Sequence, residues 1–240
     1  MSYYHYKRNI TIAELPMDEK RNLDNHYVQM FEDGKNFIRD GNFEKAIELY
    51  NKILGDKPRV AAVWCNKAAA YSYMGKELKN ADIVRNEHRY REYFRMALED
   101  INQALDLNNK DAVFWFIKGD LMVELEDFEK AESCFEHAVK LNKELAPAWD
   151  GRARATYYLS GVYGKEGLAK ALKYADYAIK CDENYAEAWF TKGQILSVLD
   201  KMRESVKCIR KAVKLAKEQG IKTVIQAGTF FLQRFGYSVD

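Results

Sequence analysis

The chain has 240 residues, 48% hydrophobic and 31% charged, which excludes a disordered polymer and suits a soluble folded protein. Its 38 Lys and Arg residues against 36 acids leave a net charge of +2, which excludes a grossly basic nucleic-acid coat and a polyacidic tail. Only 3 prolines and 13 glycines punctuate it, so long helices are expected rather than a β-sandwich.

Residues 1–10, MSYYHYKRNI, carry no apolar run behind Lys7-Arg8, so no signal peptide is expected. The most apolar windows, such as 112–117, run about six residues against the ~20 that a membrane-crossing helix needs, so no membrane span is expected. Cys65, Cys134, Cys181 and Cys208 are far apart and form no C-x-x-C pair. Reduced thiols in the cytoplasm suit them better than disulfides or a zinc knuckle.

In chain order, the first candidate element starts at Pro16-Met17-Asp18-Glu19, with Pro in the first turn and acids favoured by the helix dipole. Residues 1–26 otherwise form an extension outside the pattern that follows. That pattern is set by the tryptophans. Trp64, Trp115, Trp149 and Trp189 are spaced by 51, 34 and 40 residues, which one unit of 34 generates with insertions of 17 and 6. Four residues after each comes a small residue: Ala68, Gly119, Ala153 and Gly193. Further on, Ala97, Ala131, Ala171 and Ser205 recur in phase, followed seven residues later by Ala104, Ala138, Ala178 and Ala212. Small residues at fixed places let two helix axes cross closely, and the aromatics fill the space between neighbouring helical pairs.

These residues resemble the tetratricopeptide repeat, whose pattern is W-x2-L-G-x2-Y, then A-x3-F, then P. The units fall at 27–60, 61–111, 112–145, 146–185 and 186–219. The first keeps Gly34, Phe37, Ala46, Tyr50, Ile53 and Pro58, with Met30 in the Trp place. The chain departs at the leucine place, which holds Asp33, Lys67, Lys118, Arg152 and Lys192, and later units lack the terminal proline. The resemblance implies an all-α, right-handed superhelical solenoid of five hairpins. Residues 220–240 supply a capping helix, in which Ile221, Val224, Ile225, Gly228, Phe231, Leu232 and Phe235 follow the i, i+3, i+4, i+7 rule. The insertion in the second unit reads as one continuous helix over 82–107, with Ile83, Glu87, Tyr90, Phe94, Ala97 and Ile101 on one stripe. The insertion in the fourth, around 160–164, reads as a longer inter-helix loop.

Chemistry is sparse. Residues 161–167, GVYGKEG, fail as a phosphate loop because the spacing is wrong and Glu166 stands where Ser or Thr is needed. His5, His26, His88 and His137 lie in different elements without ligand spacing, so neither metal nor cofactor is expected. No nucleophile motif is present, which argues for a non-enzymatic protein.

The resemblance also implies a concave groove lined by the first helix of each unit. Its inward places hold Phe31, Lys35, Asn66, Tyr73, Phe116, Asp120, Arg154, Tyr157, Tyr158, Phe190 and Gln194. An aromatic trough with charges of both signs fits an apolar or amphipathic peptide, with Lys35, Asp120 and Arg154 setting register. Three large ligand side chains at about 1.5–3 kcal/mol each, less association costs, suit micromolar binding. The groove could instead be filled by the arm Tyr3-Tyr4-His5-Tyr6 or by self-association. Family members that clamp chaperone C-terminal carboxylates use basic residues where this chain has Phe31, Val113 and Ile117, which argues against that partner.

Charge is unevenly spread. Residues 111–136 carry a net of −6 and residues 201–218 a net of +5. Arg203, Lys207, Arg210, Lys211, Lys214 and Lys217 crowd one surface of the last hairpin, a solvated face or a dock for an acidic protein or phosphates. The expected function is a protein-interaction scaffold or adaptor whose partner is another protein or peptide. The alternatives are nucleic-acid or polyanion binding through the basic hairpin, and a fixed subunit of a larger complex.

Overall fold

The computed structural model describes residues 24–238, so the helix start at Pro16 and the Tyr3–Tyr6 arm lie outside the described residues. Every regular element among the described residues is a helix, arranged in two compact units. The first contains α1 (Asn25–Arg39), α2 (Phe43–Asp56), α3 (Ala61–Ala81), α4 (Glu87–Leu107) and α5 (Ala112–Glu124). The second contains α6 (Phe128–Leu141), α7 (Ala146–Tyr158), α8 (Ser160–Cys181), α9 (Ala186–Val198), α10 (Met202–Gln219) and α11 (Lys222–Arg234). No helix among the described residues is long and apolar enough to cross a membrane.

Within a pair, close approach is set by missing side chains. A Cβ on Gly34 of α1 would lie 2.6 Å from the Tyr50 ring of α2, and one on Gly193 of α9 would lie 2.5 Å from Ile209 of α10. Tyr50, Phe94, Phe135 and Ile209, all fully buried, occupy the room that glycine leaves on the facing helix. Gly228 of α11 meets Val213 of α10 in the same way, so α11 packs through Val224, Gly228 and Leu232.

The tryptophans have a polar task besides packing. In all four, the indole Nε1 donates to the carbonyl six residues back: Trp64 to Pro58, Trp115 to Asn109, Trp149 to Lys143 and Trp189 to Glu183, at 2.8–2.9 Å. Each bond ties a first helix to the turn that leads into it. Where the terminal proline is missing, a side chain shapes that turn. Asn108, Asn142 and Asp182 each accept, through Oδ1, the backbone N–H two residues on. The inter-helix turns use a left-handed residue at the fifteenth place of a unit, namely Gly41 (φ 80°), Glu126 (φ 66°) and Asp200 (φ 61°).

The two inserted units lack that left-handed residue, and both insertions differ from expectation. In the second unit α3 continues to Ala81 and α4 begins only at Glu87, so the extra residues are shared between both helices. The helix expected from Asp82 starts five residues later, because Asp82 holds a turn: its Oδ1 accepts the N–H groups of Val84 and Arg85, and Asn86 Nδ2 donates back to the Leu78 carbonyl. Ile83 and Val84, at 53% and 82% exposure, therefore sit on the turn and not on the buried stripe. In the fourth unit the expected loop is helical. The chain enters α8 at Ser160 and kinks at Gly164, whose φ of 59° and ψ of −145° only glycine adopts freely.

Candidate functional site

The expected inner-face residues divide between the two units, and burial sorts them. In the first unit, Phe31 is fully buried, with its ring centroid 6.1 Å from that of Tyr50, and Asn66 is buried as well. Neither offers surface to a ligand. The cause is packing: α1 lies mainly against α2, and the fifth place of α1 meets Tyr50 there. Cys65 and Asp150, at the same place in other units, are buried too. Phe116 is half-buried on α5.

The first unit's charges are already engaged. Lys35 Nζ lies 2.9 Å from Glu32 on its own helix. Asp120, expected to set ligand register, accepts from Lys76 Nζ at 2.5 Å. Glu124 takes Lys79 at 3.1 Å and Lys76 at 3.8 Å. The two carboxylates beside Lys76 push its ammonium above the ordinary lysine value, although burial opposes them. The extension of α3 thus delivers two lysines to α5. Tyr73 stacks on Phe43 with centroids 5.8 Å apart.

In the second unit, Arg154 Nε lies 3.3 Å from Asp150 Oδ2, one turn back on α7. Tyr157 packs over Ala153, Leu168, Ala171, Ala175 and Ile195. Phe190 packs partly against α10 and α11, beside Ala212, Ile209 and Val213. Gln194 is half-buried, and its backbone carbonyl accepts the Ser197 hydroxyl at 2.7 Å. Tyr158 stands apart. It is 53% exposed, stacked on Phe128 at 4.6 Å and tilted against Tyr157 at 5.6 Å. Val198 occupies the equivalent place on α9, which contacts α7, and is also 53% exposed. These two exposed apolar side chains, at matching places on helices that touch, are termed the ledge.

Glu187, at the second place of its unit on α9, has one carboxylate oxygen buried without a hydrogen-bond partner. Burial pushes its carboxyl up to about 7, helped by nearby Asp150 and Asp182 and opposed by Arg154 and a backbone hydrogen bond. A single acid in an Ala-Glu-Ala-Trp context gave no sign of this.

Five of the six basic-hairpin residues, all but Arg210, are exposed on α10. Arg210 donates to the Ser238 carbonyl and hydroxyl at 2.9–3.2 Å. Among the described residues, no group of three or more His, Cys, Asp or Glu side chains could hold a metal ion.

The tetratricopeptide-repeat family model matches residues 112–145 and 186–219. No curated protein matches the sequence. Among solved structures, TTC0263, a thermophilic TPR protein of Thermus thermophilus, is 14% identical over 85% of this chain and 99% of its own, with a TM-score of 0.65. MamA from Desulfovibrio magneticus RS-1 is 14% identical over 82% and 98%, with a TM-score of 0.60. YrrB, described as a TPR protein with an unusual peptide-binding site, is 17% identical over 88% and 97%, with a TM-score of 0.52. The matched repeats and the fold shared with these solenoids agree with the helical pairing: residues 112–145 and 186–219 are tetratricopeptide repeats, and the chain has the fold of tetratricopeptide-repeat proteins.

Proposed function

We propose that this chain is a non-enzymatic interaction scaffold that holds a peptide segment of a partner protein against the first-helix faces of its hairpins. The observation that carries this reading is the ledge of Tyr158 and Val198. Two large apolar side chains at equivalent repeat places stay half in water although the helices beneath them are well packed. Burying such a pair under a ligand is favourable by about 1.5–3 kcal/mol per side chain. The aromatic stack of Phe128 on Tyr158 gives the ligand a rigid wall, and Arg154 with Gln194 adds polar contacts at its edge. YrrB, which shares the fold, is described by its peptide-binding site, and this supports the same class of role here. Reduced thiols at Cys65, Cys134, Cys181 and Cys208 suit a cytoplasmic setting.

A photo-crosslinking amino acid at Tyr158, compared with one at the exposed Ser133 of α6, tests this in native lysate. Partner adducts concentrated at position 158, and lost on Val198→Asp, are expected. Equal adducts at both positions would end the proposal.

A further inference from the structure

The charge asymmetry of the sequence resolves unequally in three dimensions. The acidic stretch is largely neutralised inside its own units. Asp120 and Glu124 take Lys76 and Lys79, Asp127 takes Lys130, and Glu132 and Glu136 share Arg152. The basic stretch has no such answer. Among the described residues, Arg203, Lys207, Lys211, Lys214 and Lys217 have no carboxylate partner, and Arg210 gives its hydrogen bonds to the neutral groups of Ser238.

These six cations form a row. At 100° per residue, positions 203, 207, 210, 211, 214 and 217 fall within an arc of about 120° on α10, opposite the side that buries Cys208, Ile209, Ala212 and Ala216. From Arg203 to Lys217 the row runs about 21 Å, at 1.5 Å per residue. It is one helix wide and has no aromatic side chain in it. Glu204 lies on one flank near the N-terminal end, and Glu218, within the same arc, closes the C-terminal end.

We infer that this face of α10 is a second docking surface, separate from the Tyr158 ledge, and that its occupant is an acidic helix of a partner protein. A facing helix with carboxylates at i, i+4, i+7, i+11 and i+14 matches the spacing of the row, charge against charge. A broad polyanion fits less well. Glu204 repels an anion that spreads sideways and Glu218 one that runs on past the C-terminal end, and lysines outnumber the arginines that phosphate recognition favours. No base-stacking aromatic lies in the row for a nucleic acid to use. A second copy of this chain is disfavoured because its main acidic stretch, 111–136, is already largely paired.

The test measures binding to the full chain by fluorescence anisotropy at low salt. The probe is a helical Ala–Gln peptide with Glu at i, i+4, i+7, i+11 and i+14, and the control has the same composition with Glu scattered around the helix. The patterned peptide is expected to bind at least tenfold more tightly than the control. It should lose at least tenfold on Lys207→Glu with Lys214→Glu, while circular dichroism stays unchanged. If the charge-reversed pair fails to fold, Lys207→Gln with Lys214→Gln replaces it, with a smaller loss expected. Equal binding of both peptides, or no loss in the folded variant, overturns the inference. So does tighter binding of phosphatidylserine vesicles or of an oligothymidine strand.

Discussion

Arg152 of α7 reaches across to α6, where its Nε lies 2.7 Å from Glu132 Oε1 and its Nη2 3.3 Å from Glu136 Oε1. It also covers the Tyr174 ring of α8 at 4.4 Å, so one guanidinium fastens three helices. Arg152 stands at the leucine place of the repeat, and Lys67 and Lys192 there behave alike, while Lys118 only lies over Trp115. Lys67 pairs with Asp100 at 3.0 Å and lies over Trp64, and Lys192 pairs with Asp176 at 2.7 Å and lies over Trp189. What looks in sequence like a lapse from the pattern is, at these three places, an exchange of an apolar contact for an ion pair set on an aromatic face.

That exchange predicts how substitutions couple. Arg152→Ala strands Glu132, which is partly shielded from water, and leaves Glu136 to Lys140 alone, so it should destabilise the protein by about 1–3 kcal/mol. Adding Glu132→Gln should recover part of the loss, because less unpaired charge then remains. Urea denaturation of the two single variants and the double variant gives the coupling energy. Strict additivity would show that the contact contributes little.

Glycines should divide by what faces them. Gly34→Ala and Gly193→Ala place a Cβ against buried rings or branches and should cost about 1–3 kcal/mol. Gly55→Ala, with nothing within 4 Å of the added carbon, should be neutral or stabilising by up to about 1 kcal/mol. Thermal melts that rank Gly55→Ala with the other two would refute close packing as the reason for the glycines.

The fifteenth place tests backbone strain. Gly41 adopts its left-handed conformation freely, whereas Glu126 and Asp200 adopt it with a side chain. Asp200→Gly should therefore stabilise by a few tenths to about 1 kcal/mol, and Gly41→Ala should destabilise by a similar amount. Equilibrium unfolding of the two variants, read for opposite signs, checks this.

The periodic parts of the structure were legible from sequence because each depends on local spacing. A Trp, a small residue four places on, and alanines at fixed intervals locate the helical pairs without knowledge of any distant contact. What was not legible depends on partners far along the chain. Asp120 reads as a free acid until the lengthened α3 delivers Lys76 to it. Phe31 reads as a groove residue until Tyr50, nineteen residues on in α2, packs against it and it is fully buried. The helix expected over 82–107 begins only at Glu87 for a local reason: one Asp side chain competing for backbone N–H groups outweighed an apolar stripe that continued on paper.

Two buried acids set the pH dependence. Burial raises the carboxyl of Asp100 from 3.8 to about 6, outweighing the pull of Lys67, and raises that of Glu187 from 4.5 to about 7. Between their unfolded and folded values, the folded protein holds protons that the unfolded chain has released. The derivative of stability with pH is then negative, so stability falls as pH rises from about 5 towards 8. Asp127 does not interfere, since the hydrogen bond from Lys130 lowers its value and moves its titration further below this window. Each buried acid should contribute a decline of order 1–3 kcal/mol across its range. Asp100→Asn leaves Lys67 without its ion pair, so Glu187→Gln is the cleaner variant. It should match the parent protein near pH 5 and exceed it at pH 8, as measured by urea midpoints at the two pH values. A parent protein that gains stability over that interval, or a Glu187→Gln variant with the same slope, would mean that Glu187 is ionised and solvated at neutral pH.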